Sequence, residues 1–390
     1  MDSEVDAMKA SEHVEDRRTV FDVLKGIGIL EVIAHHSLGH AGRKFTEEGS
    51  IEWWSLRLVN RTLHFAIPLF LLVSAALLTQ SLLKRPDWRR FAQRRVSRTL
   101  WPYLLWTGVY LLFRWRVLQV GSDTWIAEYT YPLIGTLRGP QMFVDLNELW
   151  RELVWGKAYF YLYFMVVLLQ LAIVLPLVIA FSRRLAWGFG RTAAAAAGLQ
   201  IAMFFLQREV LHVLTPASMV LWYVPSVLLG VWIGIDMDRW KARWSGVRLP
   251  LAAALAVGFP AYMACAITLE RGGSMNSIVF NSAYSIYTIA ASLLLFGLAP
   301  SIAAVKAGGF LALFGRVSLP MFLVHPMILH WLSGPRITAA LNLLPVPAVG
   351  TIILATVASY AFARLTMGMR LDPFLFGQKL VRKQGLTATV

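Results

Sequence analysis

The stretch VFDVLKGIGILEVIAHHSLGH, Val20 to His40, decides the class of this protein. It has the length of a membrane-crossing helix. Its centre, Gly26 to Ala34, is apolar except for Glu31, and two adjacent histidines, His35 and His36, follow. Ionisable side chains are costly in hydrocarbon, so such a helix turns them toward a bundle interior or a wet cavity. Lys25 and His36 are eleven residues apart. On an α-helix that is about 20° from one face, with a rise of about 16.5 Å. Asp22 lies fourteen residues before His36, about 40° off the same face. Asp22, Lys25 and His36 therefore form one polar stripe along a membrane helix.

The rest of the chain has the same character. Of its 390 residues 57% are hydrophobic and only 15% charged, against nearly half apolar and a quarter charged in soluble domains. The excess falls in separate long apolar runs, and in lipid such runs satisfy their backbone only as helices. Ten spans are expected, near 20–38, 62–83, 99–117, 159–181, 192–207, 218–235, 249–268, 282–299, 309–332 and 344–365. The fold expected is an all-α polytopic membrane bundle of about ten transmembrane helices. It divides into an N-terminal tail 1–19, a transmembrane region 20–365 and a C-terminal tail 366–390. The tail MDSEVDAMKASEHVEDRRT lacks the basic start of a signal peptide, so the first span is expected to be retained.

The net charge is +15. In a soluble protein this would suggest nucleic acid, but here the cations flank spans. LKRPDWRRFAQRRVSR (83–98) carries seven Lys and Arg, SRRLAWGFGR three, DMDRWKARWSGVR four and the chain after 366 four. With ten alternating spans all of these fall on the side of the N-terminus, and the positive-inside rule places both termini in the cytoplasm. No nucleic-acid partner is expected; the lipid bilayer is. Cys265 is the one cysteine, so neither an intrachain disulfide nor a cysteine metal site is possible, and no metal is expected. The long segment 118–158 interleaves aromatic and acidic residues. Its VDLNELWRELVWG reads as an amphipathic helix at the outer interface, either a plain connector or a lip over a substrate cleft.

Bland readings stand beside the functional ones. Glu31 precedes His35 by four residues, so the two can bond on their own face as a structural pair. Asp22 and Lys25 could be snorkelling interface charges. Arg95 and Arg98 could be topology signals alone. Ser74 could serve packing. In the penultimate span Ser318 and His325 are seven residues apart, about 20° off one face, and Arg316 and His330 flank them. His325 precedes Pro326, so it either bonds a carbonyl freed by the proline or forms a second polar wall opposite His36. His330 reads as outer-interface, and His64, shortly before Pro68, as a packing histidine.

FDVLKGIGILEVIAHH resembles the first helix of the acyltransferase-3 family of integral membrane acyltransferases. The family pattern there is Arg or Lys, ten residues, then His. Lys25 and His36 match it, with Asp22 at the acidic position just before. Further matches follow in order: PLFLLVSAALLT (68–79) with Ser74, RRFAQRRVSRTLWPY with Arg95 and Arg98 of the RxxR element, YFYLYFMVVLLQLAIVLPLV (159–178), LWYVPSVLLGVWIG (221–234) and FGRVSLPMFLVHPMIL (314–329). The resemblance covers about residues 17–365. The chain departs from the pattern at Ala75, where Gly is usual, at Tyr161, where His is common, and at Pro320 and Met321, a stretch that usually includes a Gly. Lys25 in place of Arg keeps the charge but not the bidentate fork.

The resemblance implies an enzyme, an O-acyltransferase moving an acyl group, usually acetyl, from cytoplasmic acyl-CoA to a hydroxyl. The acceptor would be a cell-surface or exported glycan, and the location the inner membrane of a bacterium. Arg95, Arg98 and Lys25 would bind the phosphates of the donor. His36, supported by Lys25 and Asp22, would carry the catalysis, either as general base or as a transiently acylated nucleophile. Ser74, Tyr161, Ser318 and His325 are the substrate-site candidates. Two alternatives stay open: acylation of a small hydroxylated natural product, and a proton-coupled transporter using Asp22, Glu31, His35 and His36 as a relay. Against the transporter, neither an inverted repeat nor a pair of broken helices is visible in the sequence.

Overall fold

The computed structural model describes residues 2–117, 126–133 and 135–377. In chain order the helices are α1 (Asp2–Phe45), α2 (Ile51–Thr62), α3 (Ala66–Lys84), α4 (Trp88–Arg95) and α5 (Trp101–Arg116). A hairpin of β1 (Ile126–Tyr131) and β2 (Gly135–Pro140) follows, then α6 (Gln141–Val144), α7 (Leu146–Trp155), α8 (Tyr163–Leu185) and α9 (Phe189–Leu206). The remainder is α10 (Val224–Ile235), α11 (Met237–Glu270), α12 (Ser277–Ala303), α13 (Lys306–Arg316), α14 (Ser318–Leu332), α15 (Pro335–Leu341), α16 (Pro347–Gly368) and α17 (Asp372–Phe376).

The fold is an all-α polytopic bundle. Among the described residues six helical segments are long and apolar enough to cross a membrane, or seven if α13 and α14 count as one bent span. The expected ten include three more. At those positions stand α1, with Asp22, Lys25 and Glu31 inside its span, α5, with 16 residues, and α10, with 12. The part of the expected tail beyond residue 377 lies outside the described residues, as do 118–125 and 134 of the segment 118–158.

Two compact units divide the chain. The first comprises residues 1–87 and 170–362, the second 88–169 and 363–390. The first unit is built on helices that come unusually close, and glycine is the reason. A Cβ on Gly26 of α1 would sit 2.0 Å from the Leu311 carbonyl oxygen of α13, and one on Gly315 of α13 1.7 Å from that of Asp22. The two glycines let α1 and α13 touch backbone to backbone, as small residues do where apolar surface gives no advantage over lipid. Gly230 and Gly234 of α10 do the same against Leu72, Ala75, Ala76 and Thr79 of α3. Ala75, one of the departures noted above, is thus a buried packing residue on the α10 side of α3.

The penultimate span, expected as one helix, is broken: α13 and α14 meet at 73°. Pro320 has no amide for the Arg316 carbonyl and its ring clashes with that carbonyl, so α13 ends at Arg316 and Val317 leaves the helical region (φ −116°, ψ 21°).

In the second unit, α4 runs through a π-helical turn, Val96–Leu100, straight into α5. The cationic stretch 83–98 between two expected spans is therefore largely helical. The hairpin was not expected either. Its register pairs Tyr131 with Gly135, and Gly135 has φ +77°, the left-handed region a glycine adopts without strain. The expected amphipathic helix forms as α7. Its N-terminus is capped by the Asp145 carboxylate, which accepts from the amides of Asn147 and Glu148 at 3.1 Å each. It stops at Gly156 with φ +64°.

Candidate active site

In the first unit the polar stripe of α1 has two ends. At one, Lys25 Nζ stands 2.5 Å from Asp22 Oδ1, and Arg316 Nε stands 3.7 Å from Asp22 Oδ2. Asp22 is buried, its side chain 6% exposed, while Lys25 and Arg316 keep 31% and 58%. The close packing of α13 on α1 brings Arg316, the last residue of α13, to this carboxylate, because Gly315 lies directly on the Asp22 backbone. A carboxylate this enclosed needs paired cations, and two supply it.

At the other end His36 meets His325 of α14, with rings stacked at 5.3 Å between centroids and 21° between planes. His325 is fully buried. Its Nδ1 donates to the Phe322 carbonyl at 2.8 Å, with the Met321 carbonyl at 3.3 Å. Phe322 is the residue whose carbonyl Pro326 cannot satisfy, having no amide. The proline thus sets the tautomer of His325: Nδ1 carries the proton and Nε2 the lone pair. Both readings of His325 apply at once, since one nitrogen serves the kinked backbone while the ring faces His36.

Glu31 and His35 do not serve each other. Glu31 is buried with its carboxylate beside the backbone amides of Phe65 and Ala66 at the start of α3, and its Oε1 has no hydrogen-bond partner among the described residues. His35 turns to α2, where its Nδ1 lies 3.4 Å from the Asn60 carbonyl and the Asn60 amide donates to the His35 carbonyl at 2.5 Å. His64 packs edge-on against His35 at 4.5 Å and donates from Nδ1 to the Arg61 carbonyl at 3.1 Å. Tyr284 and Tyr287 of α12 donate to the carbonyls of His64 and Thr62. Arg61 pairs with Glu270 of α11. Asn60, Tyr284 and Tyr287 were not singled out from sequence: their partners are backbone carbonyls distant along the chain, His35 on α1 for Asn60 and His64 and Thr62 between α2 and α3 for the tyrosines, which no spacing rule marks.

The other candidates in this unit are placed less centrally. Ser74 is half-buried on α3, one turn beyond Phe70, whose ring fills the space beside Gly28 of α1. Ser318 is half-buried as the first residue of α14, just past the break.

In the second unit Arg95 ends α4 and Arg98 lies in the π-helical turn. The guanidinium of Arg95 lies 5.7 Å over the Phe91 ring. Buried Arg94 Nη2 and Arg95 Nε have no hydrogen-bond partner among the described residues. Burial, then the neighbouring charges of Arg98 and Arg94, pulls the Arg95 guanidinium down from its usual range to about 10. It stays charged at neutral pH, as a cation short of an anion. Tyr161 is buried just before α8, beside Tyr110 at 5.4 Å and Tyr159 at 5.9 Å. It fills an aromatic cluster where a histidine was the usual expectation. Among the described residues no group of three His, Cys, Asp or Glu side chains is arranged to hold a metal ion.

Apolar helices of spanning length, with ionisable side chains turned inward, define an integral multi-pass membrane protein with a histidine-centred polar site. A family model described as an acyltransferase domain matches residues 18–364. The chain belongs to that acyltransferase-3 family and is a membrane acyltransferase. No curated relative and no solved structure is detectably similar to it.

Proposed function

We propose that the protein is an O-acyltransferase of the inner membrane of a bacterium, moving an acyl group, acetyl as first choice, from cytoplasmic acyl-CoA to a hydroxyl of a cell-surface or exported glycan. The observation that carries this reading is the stack of His36 on His325, at one end of a stripe whose other end is the Asp22–Lys25 pair. His36 is the general base. One of its nitrogens takes the proton of the acceptor hydroxyl as that oxygen attacks the thioester carbonyl. The C–S bond breaks, and the imidazolium returns the proton to the thiolate, leaving an ester and free CoA. Asp22 and Lys25 hold the charge of the stripe at its other end, and Lys25 remains available to the donor's phosphates.

Arg95 and Arg98 recognise the donor phosphates in this reading. Its support is the buried guanidinium donors of Arg95 and its neighbour Arg94 that lack acceptors among the described residues, with Arg98 one turn further on. The segments 1–19 and 366–390 lie on the cytoplasmic side, with the cation-rich connections. Purified protein in detergent, given acetyl-CoA and a polysaccharide with free hydroxyls, is expected to release CoA thiol and to esterify the polysaccharide. A relay transporter would do neither, and absence of both from correctly folded protein defeats the proposal.

A further inference from the structure

The chain after α16 returns to the helix bend that carries Arg95 and Arg98, within the second unit. Trp101 Nε1 donates to the Phe374 carbonyl at 2.7 Å and Trp106 Nε1 to the Leu375 carbonyl at 2.9 Å. Phe376 is fully buried, with its ring stacked on Trp106 at 5.9 Å and 18°. Gly377 ends α17 with φ +61°, and a Cβ there would sit 2.0 Å from the Ser97 carbonyl and 2.8 Å from Arg98 Cα. The segment thus holds the π-helical turn and the helix that follows it: indoles of α5 hold its carbonyls, and its last glycine lies on the backbone between Ser97 and Arg98 within the turn.

A π-helical turn is a rare, locally widened arrangement. Here it is closed by the Trp101 amide bonding five residues back to the Val96 carbonyl. It sets the angle between Arg95 before it and Arg98 within it. Three arginines crowd this bend, Arg94, Arg95 and Arg98, and like charges push apart. A backbone clasp is what keeps them converging before an anion arrives. We propose that residues 372–377 are a latch whose Phe376, seated on Trp106, positions the arginine pair for the phosphates of the acyl donor. The inference rests on the donor-binding reading of Arg95 and Arg98 given above.

The test uses the full chain in detergent and three variants. Trp106→Phe removes one N–H while keeping a ring against Phe376, Phe376→Ala removes the ring, and Arg98→Ala removes a guanidinium. The latch predicts that KM for acetyl-CoA rises about two- to tenfold in Trp106→Phe, the worth of one hydrogen bond, and further in Phe376→Ala. In both, kcat at saturating donor and KM for the acceptor stay within about twofold, which a general packing defect would not spare. Adding Phe376→Ala to Arg98→Ala should cost less than Phe376→Ala alone, because coupled residues are not additive. If Arg98→Ala weakens the donor while both latch variants leave its KM unchanged, the latch is overturned and the donor reading stands. If the latch variants raise the donor KM but Arg98→Ala does not, the arginine reading falls and the latch with it. Should Phe376→Ala fail to fold, Trp106→Phe still decides: a fall in kcat with donor KM unchanged overturns the inference.

Discussion

His35 and His36 are adjacent on α1 and are used in opposite ways. His35 faces the turn between α2 and α3, where the groups around it hold or flank backbone: the Asn60 amide takes the His35 carbonyl, His64 takes the Arg61 carbonyl, and Glu31 lies beside the amides that open α3. His36 faces a second imidazole, that of His325, whose own orientation is set by a proline-freed carbonyl. One step of about 100° around the helix takes the chain from polar side chains that build the bundle to the His36–His325 stack, the His35 and His36 rings meeting edge-on at 4.9 Å between the two. An ionisable residue in a membrane helix is a functional hypothesis by default. The Glu31 side shows what defeats that default: an α-helix starting inside the membrane leaves amides with no water to bond, and a buried carboxylate is a good acceptor for them.

The comparison breaks most visibly at the histidines. His36→Ala is expected to lower acyl transfer by about 10²- to 10⁴-fold, the usual worth of general-base catalysis, with protein still inserting and still binding acyl-CoA. His35→Ala should keep measurable transfer, at the expense of stability. Rates measured side by side with donor binding separate a dead catalyst from a distorted helix. A dead His35→Ala beside an active His36→Ala would place the chemistry on the wrong face of α1.

Much of this was legible in the sequence because helix periodicity is a strong rule. The 22–25–36 spacing put Asp22, Lys25 and His36 on one stripe, and the structure pairs Asp22 with Lys25 and stacks His36 on a ring from α14. Pro326 announced a freed carbonyl beside His325, and the bond is there. What the sequence hid depends on contacts distant along the chain. The Glu31–His35 pair was reasonable by spacing, but spacing cannot see that the start of α3 lies closer to Glu31's needs. The break at Val317 was readable from Pro320, whose ring forbids a helix through Arg316, yet an apolar run of spanning length masked it. The close approach of α1 and α13 had only Gly26 and Gly315 as its signal, and a glycine does not name its partner. The hairpin 126–140 was obscured by a membrane protein's overwhelming helical signal, although aromatics alternating along EYTY and Gly135 at the turn are strand features.

Glu31 sharpens the comparison with a middle-sized effect. Glu31→Ala removes the carboxylate beside the amides that open α3 and leaves a void, so a destabilisation of about 1–3 kcal/mol is expected, read as a lower thermal midpoint in detergent. Glu31→Gln keeps an acceptor oxygen and should retain most of that stability. Its transfer per folded molecule should stay within about twofold of the parent. A carboxylate that relayed protons would behave differently, because glutamine cannot titrate. Loss of transfer in Glu31→Gln at unchanged stability would move Glu31 to the catalytic side of α1.

The smallest effect lies furthest from His36 on the structural side. Tyr284 of α12 donates to the His64 carbonyl at 3.1 Å, and its ring meets that of His64 at 6.3 Å. Tyr284→Phe keeps the ring and removes one hydroxyl, so the His64 carbonyl loses a donor. A single neutral hydrogen bond is worth about 0.5–1.5 kcal/mol net, and interhelical bonds in membranes fall in or below that range. The thermal midpoint should therefore drop slightly, with donor KM, acceptor KM and kcat all unchanged within error. The value of so small a perturbation is its reach: it runs from Tyr284 through His64 to His35, ring against ring, and meets the stack only through the edge-on contact of His35 with His36 at 4.9 Å. If the loss of one hydroxyl there cut transfer by tenfold at unchanged stability, the two histidines would not be separate in function, and His35 and His64 would have to be counted with the chemistry.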